Sequence, residues 1–245
     1  MTTDGELGPC CVEGFLWKGT PLGREIRLGE LDAYVAEPRL IKRQDTAILF
    51  LHDVFGWKVD NPRLVADRMA ALAGAPVYLV DFYNGIELGT PGNLKYPLME
   101  FVGMFPVDAT TERINKVLDA LRAQGKTRFG AVGYCWGGKY SLRLGDGTAL
   151  AVVACHPSLV NVETDIAPIT SPTLFLLAET DSIFTPDLKA KTMEQLEKSG
   201  VKHSAKEYKG TTHGFAIRCE EVKEQLDARD DACAQAAAWF DKHLN

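Results

Sequence analysis

Along the chain, short runs of consecutive apolar residues alternate with stretches whose apolar positions recur every three or four residues. Ala47–Leu51 and Val77–Val80 are continuous apolar runs, as expected of strands covered on both faces. Phe129–Val132, Leu150–Ala154 and Thr173–Leu177 predict three more strands. Residues 60–73 have helical spacing, with Leu64, Met69 and Leu72 among the apolar positions. Asp108–Gln124 places Ile114, Val117, Leu118 and Leu121 on one helical face. Trp136–Leu144, Pro186–Lys198 and residues 219–243 predict further helices, the second stopped by Ser199-Gly200. Arg24–Leu28 and Leu31–Ala36, separated by Gly29-Glu30, predict an opening antiparallel hairpin, and Val201–Tyr208 alternates as an edge strand does. Residues 84–106 are rich in Gly and Pro and predict a loop or small cap. Strands alternating with helices imply βαβ units, a mostly parallel sheet and helices on both of its faces. No repeat or linker interrupts the pattern, so residues 1–245 are read as one α/β domain.

Composition narrows the function classes. The chain has 245 residues, 46% of them hydrophobic and 24% charged, enough for one sizeable core. A net charge of −6 without clustered Lys and Arg argues against a nucleic-acid partner. No stretch approaches the roughly 18 apolar residues of a membrane helix, and the acidic, polar start at Met1–Gly8 is unlike a signal peptide. The expected location is therefore cytoplasmic, with no membrane partner. Six cysteines without a Cys-x-x-Cys or His-x-x-x-His pair suggest neither a disulfide scaffold nor a zinc site. The adjacent Cys10 and Cys11 suit a loop or core better than a bridge.

The sharpest chemical signal is Gly133-Tyr134-Cys135-Trp136-Gly137. It matches the nucleophile-elbow pattern G-x-S-x-G with Cys in place of Ser, between a predicted strand and a predicted helix. Small flanking residues are needed because the nucleophile sits on a tight, strained turn. At a helix N-terminus the partial positive charge also favours a thiolate. Taken alone, a Gly-rich turn around a buried Cys would look the same.

Chain order adds to the signal. Asp181 follows the apolar run Thr173–Ala178, at the C-terminal end of a strand where open α/β sheets put their sites. His213 follows in a polar loop before the last helix. The order Cys135, Asp181, His213 is that of nucleophile, acid and base in α/β-hydrolases. In that arrangement His213 takes the thiol proton and later protonates the leaving group, while Asp181 orients the imidazole. Backbone N–H groups of Trp136 and of Val54, in the loop His52–Gly56, are the expected oxyanion donors. His52 and Asp53 in that loop are expected near the pocket mouth, where a loop-stabilising polar pair is an equal alternative.

His-Asp-Val-Phe-Gly (52–56), Asp-Phe-Tyr (81–83), Gly-Tyr-Cys-Trp-Gly-Gly (133–138), Thr-Asp-Ser-Ile-Phe-Thr-Pro (180–186) and His-Gly-Phe-Ala (213–216) together resemble the dienelactone hydrolase family, carboxymethylenebutenolidase-like enzymes of the α/β-hydrolase superfamily. The N-terminal Cys-Cys-Val-Glu-Gly and Gly-Thr-Pro segments resemble its eukaryotic, especially fungal, branch. The resemblance implies an α/β-hydrolase fold with a minimal cap, and cleavage of a carboxylic ester or lactone through a Cys-Asp-His triad and a thioester. It implies no cofactor and no metal. It also implies a carboxylate that helps deprotonate the thiol. The family has Glu there; Asp53 is one methylene shorter.

The bacterial enzymes hold the dienelactone carboxylate with two arginines, and the matching positions here are Gly85 and Ile217. Arg218 is adjacent but is expected to point elsewhere. A guanidinium fork is not replaced by Gly or Ile, so a less charged small-molecule ester or lactone is expected. Trp57, Tyr83, Phe101, Phe105, Trp136 and Phe215 are candidate pocket walls, with His156 bordering the site. A homodimer is compatible with all of this. Two other readings stand beside it: an acyl-transfer enzyme, thioesterase or biosynthetic lactone-processing enzyme on the same triad, and a non-catalytic ligand-binding protein that has kept the fold.

Overall fold

The computed structural model describes residues 7–40 and 43–244. An antiparallel hairpin, β1 (Arg24–Leu28) and β2 (Leu31–Ala36), opens the fold at the expected residues. Strand β3 (Thr46–Leu51), helix α1 (Asp60–Ala73) and strand β4 (Val77–Val80) follow. Residues 84–106 carry a two-rung ladder, β5 (Gly89–Thr90) with β6 (Asn93–Leu94), and a short helix, α2 (Leu98–Gly103). Then come α3 (Val107–Ala123), β7 (Arg128–Tyr134), α4 (Trp136–Arg143), β8 (Ala151–Cys155), β9 (Thr173–Thr180), α5 (Pro186–Ser199) and β10 (His203–Thr212).

Eight strands form one sheet in the order β1-β2-β4-β3-β7-β8-β9-β10. The pairs from β4 to β10 are parallel, and β2 joins β4 antiparallel. Every residue of β3, β4 and β8 is buried, which is why their sequences are unbroken apolar runs. Strands β1 and β10, at the two edges, carry mostly exposed residues. One core lies between the sheet and α1 with the C-terminal helix. It includes Val65, Met69, Ala236 and Phe240. The other lies under α3 and α4, with Ile114, Val117, Leu118, Leu121 and Tyr140 buried. Helices on both faces give an α/β-hydrolase fold. On α1 the apolar pattern misleads at one position, because Leu72 is exposed while Val65, Ala66, Met69 and Ala70 face the core.

The C-terminal stretch departs from the expected single helix over 219–243. Its helix, α7, spans Lys223–His243, and a separate four-residue helix, α6 (Phe215–Arg218), precedes it across a break at an extended Cys219. At the break the Trp17 indole N–H donates to the Cys219 carbonyl at 2.7 Å.

Candidate active site

Strand β7 ends at Tyr134 and α4 begins at Trp136, so Cys135 alone turns the chain. It does so at φ 51°, ψ −114°, a conformation costly for a residue with a Cβ. The surroundings hold it there. Its N–H donates to the Cys155 carbonyl at 3.1 Å, and its carbonyl accepts from the N–H groups of Ser158 and Gly138 at 2.9 and 3.0 Å. The flanking glycines are dictated by contact. A Cβ on Gly133 would lie 2.1 Å from the Gly137 carbonyl oxygen, and one on Gly137 would lie 2.2 Å from that of Leu51.

That second close approach docks the start of α4 on the end of β3 and brings Trp136 beside the loop 52–56. The His52 ring stacks on the Trp136 indole, centroids 5.4 Å apart. Asp53 stiffens the loop by accepting the Phe55 N–H at 3.0 Å. The first N–H groups of a helix have no intrahelical acceptor. Among the described residues, neither the Trp136 nor the Val54 N–H is spent on another backbone or side-chain acceptor.

Asp181 follows β9 directly, and one of its oxygens accepts the Ile183 and Phe184 N–H groups at 2.8 and 3.1 Å. The other oxygen faces Nδ1 of His213 at 2.9 Å. The opposite edge of that imidazole faces the thiol. Ser158 Oγ lies 3.3 Å from His213 Nε2 and 3.4 Å from Cys135 Sγ. The ligating atoms of Cys11, Cys135 and His213 all lie within 4.8 Å of one another. The three residues read as a triad in the sequence are thus brought to one place, Cys135 and His213 buried and Asp181 half-buried.

Electrostatics polarise this group. Burial pushes the Cys135 thiol up, but a hydrogen bond from Cys11, the imidazole of His213 and the charge of Arg218 outweigh it and hold the thiol well below its ordinary range. Burial pulls His213 down, yet the adjacent Cys135 and Asp181 raise it to about 10. Asp181 is buried too, and His213 with the two backbone N–H groups keeps it below the usual carboxylate range. The resting state these shifts favour is a thiolate–imidazolium pair.

The structure overturns the expectation that Arg218 points away. The turn of α6 carries it inward, where it is buried and its Nη1 donates to Asp53 Oδ2 at 2.7 Å. Its Nε donates to the Glu13 carbonyl at 2.8 Å and its Nη2 to the Cys10 carbonyl at 3.3 Å. Asp53 thus spends one oxygen on Arg218 and the other on Phe55, and neither on the thiol. Burial pushes its carboxyl up to about 6 against the pull of Arg218.

The pocket residues divide. Tyr83, Phe101, Phe105 and Trp136 form one buried aromatic cluster with His52. His156 packs between His213 and Phe215, with ring centroids 5.1 and 5.7 Å away. Trp57 instead lies against the Arg63 guanidinium in the core under α1. Tyr83 Oη, His52 Nε2 and both nitrogens of His156 are buried without a protein partner. A cleft of about 340 Å³ is walled by Cys10, Thr180, Ser182, His213, Phe215 and Arg218 among others; of the expected pocket residues Phe215 lines it, while His52, Tyr83 and His156 do not. Gly85 and Ile217 are not among its wall residues.

Sequence reasoning missed Cys11, Ser158 and the inward Arg218. The paired cysteines near the N-terminus were the one visible signal, and no local pattern tells that a 3₁₀ turn at Pro9–Cys11 lands on the elbow.

The profile of the dienelactone hydrolase family matches residues 31–244, most of the chain. The chain belongs to the dienelactone hydrolase family. It is an ester or lactone hydrolase of that family. Among curated relatives, the hydrolase pyvD of Aspergillus violaceofuscus (strain CBS 115571) is 29% identical over 238 residues, covering 96% of each chain. The carboxymethylenebutenolidase homolog of Homo sapiens is 28% identical over 246 residues, covering 98% of this chain and 99% of its own. Among solved structures, a dienelactone hydrolase candidate from Klebsiella pneumoniae subsp. pneumoniae MGH 78578 superposes with a TM-score of 0.75 at 19% identity, covering 89% of this chain and 98% of its own. At that identity it speaks to the fold alone. No helix among the described residues is long and apolar enough to cross a membrane.

Proposed function

We propose that this family member cleaves a small carboxylic ester or lactone through a Cys135 thioester, with His213 as acid and base and Asp181 as its orienting carboxylate. The observation that carries this reading is the contact line Asp181–His213–Cys135, with 2.9 Å between the carboxylate and Nδ1 and the thiol on the imidazole's far side. The thiolate attacks the carbonyl carbon, and the carbonyl oxygen becomes an oxyanion between the N–H groups of Trp136 and Val54. When the tetrahedral adduct collapses, the C–O bond to the leaving group breaks and His213 gives that oxygen its proton. Water then attacks the thioester, His213 takes a proton from it, and the acid leaves as the thiolate is restored.

Asp53 serves in this reading to balance Arg218, not to bind the thiol. The cleft wall therefore carries a guanidinium whose charge is already matched, which suits a neutral or singly charged substrate. The test is hydrolysis of aryl esters and lactones of different charge by wild type, Cys135→Ser and Cys135→Ala. Turnover is expected to vanish in the alanine variant, and an acyl adduct on Cys135 is expected by mass spectrometry in wild type. Full activity in Cys135→Ala would rule the reading out.

A further inference from the structure

Cys11 has no part in the hydrolytic scheme, yet it is fully buried against the nucleophile. Two thiol sulfurs and an imidazole nitrogen therefore converge, each within 4.8 Å of the others. Ser158 Oγ lies 3.4 Å from Cys135 Sγ and 3.3 Å from His213 Nε2. In a tetrahedral zinc site with bonds of about 2.0–2.3 Å, neighbouring ligand atoms are about 3.3–3.8 Å apart. The cluster is thus close to the size such a cation needs, with an oxygen from Ser158 or water at the fourth corner. Two sulfurs and one imidazole are the donor set that soft d¹⁰ cations prefer.

The surroundings suit a cation as well. Asp181 on Nδ1 fixes the tautomer that turns Nε2 toward the thiols, the outer arrangement that metal-bound histidines usually have. Two thiolates would neutralise a divalent ion; Asp181 is held on the ligand His213, and Arg218 and Asp53 pair with each other. Cys10, the other thiol of the pair, points to Ser182 at 3.4 Å and belongs to the cleft wall.

We propose that Cys11, Cys135 and His213 form a binding site for a soft divalent cation of the zinc class, and that a cation held there silences the nucleophile. Binding follows from the donor set alone. The silencing rests on Cys135 being the nucleophile, as argued above. The sulfur lone pair that would attack a carbonyl is then coordinated, and His213 Nε2 can no longer carry a proton. Loading would release the Cys11 thiol proton and the Nε2 proton of the His213 imidazolium, Cys135 being a thiolate at rest.

Cd²⁺ titration of the purified protein tests the binding, with a phosphine reductant present so that both thiols stay reduced. Wild type is expected to take up one Cd²⁺ per chain with a thiolate-to-metal absorption of two sulfurs. Cys11→Ser should show about half that absorption and bind about 100-fold more weakly, while Cys10→Ser binds like wild type. Cys11→Ala and His213→Gln repeat the test at the same site if the serine variant is unstable. Wild-type affinity in Cys11→Ser and Cys11→Ala, or no stoichiometric uptake by wild type, overturns the site. In the second arm, ester hydrolysis is followed with Zn²⁺, each variant normalised to its own metal-free rate. Wild type should be inhibited and recover with a chelator, and Cys11→Ser should need about 100-fold more Zn²⁺. Equal sensitivity of the two overturns the silencing. A protein with no ester turnover would sink the hydrolytic reading and leave the Cd²⁺ result to decide the site.

Discussion

Two buried acid–base pairs flank Cys135. On one side Asp181 holds His213 at 2.9 Å, and on the other Asp53 holds Arg218 at 2.7 Å. In geometry they are alike: an Asp in the loop after a strand, and a cation from the segment after β10. In chemistry they differ. An imidazole gives and takes a proton near neutrality, whereas a guanidinium does not. In the proposed scheme the first pair turns over. The second is a fixed charge that matches a carboxylate and, through the carbonyls of Cys10 and Glu13, ties the N-terminal segment over the nucleophile. Position next to the Cys135 thiol is thus no guide to role; the exchangeable proton is.

Breaking the first pair is expected to have the larger effect. His213→Ala removes both the base for the thiol and the acid for the leaving group. Loss of general acid–base catalysis alone is worth roughly 10²–10⁴-fold, and the thiolate is lost with it, so about 10⁴-fold in kcat is expected. Circular dichroism should stay unchanged. A fall in kcat of less than tenfold would mean that another group moves the proton.

Breaking the second pair is expected to act on stability. Arg218→Met leaves the Asp53 carboxylate buried and uncompensated, a change that costs about 3–5 kcal/mol. Denaturant unfolding measures it. The double variant Asp53→Leu/Arg218→Met, which removes both charges, should recover most of that loss. If the single variant were as stable as wild type and as slow as His213→Ala, the division of roles would be reversed.

Much of this was legible before any coordinates. The parallel strands announced themselves because strands buried on both faces are unbroken apolar runs, and the elbow because close contacts at Gly133 and Gly137 forbid side chains. Asp181 and His213 were legible from chain order. What was not legible lies where distant segments meet. At the break at Cys219 the carbonyl is bonded by Trp17, some 200 residues earlier in the chain, and the inward Arg218 meets carbonyls of the same N-terminal segment. Cys11 joins the site through a turn whose docking no local spacing encodes. Asp53 was visible as a site residue, but its partner was not, because the arginine that claims it sits 165 positions away.

The smallest expected effect is also the sharpest probe of the comparison. The Cys135 thiol sits well below its ordinary range, and His213 is raised to about 10. The sign follows: thiolate persists as pH falls through neutrality, and imidazolium persists as pH rises to about 10. Iodoacetamide labelling of Cys135, followed on its own peptide by mass spectrometry, should change less than about twofold between pH 7 and 9. A thiol with an ordinary value near 8.5 would gain roughly 25-fold over that interval. In His213→Ala the steep rise should appear. In Asp53→Leu/Arg218→Met the profile should move only slightly, because both charges of the fixed pair leave together. A steep rise in wild type would show a neutral thiol at rest. A steep rise in Asp53→Leu/Arg218→Met would show that the fixed pair, and not the imidazole, keeps Cys135 ionised.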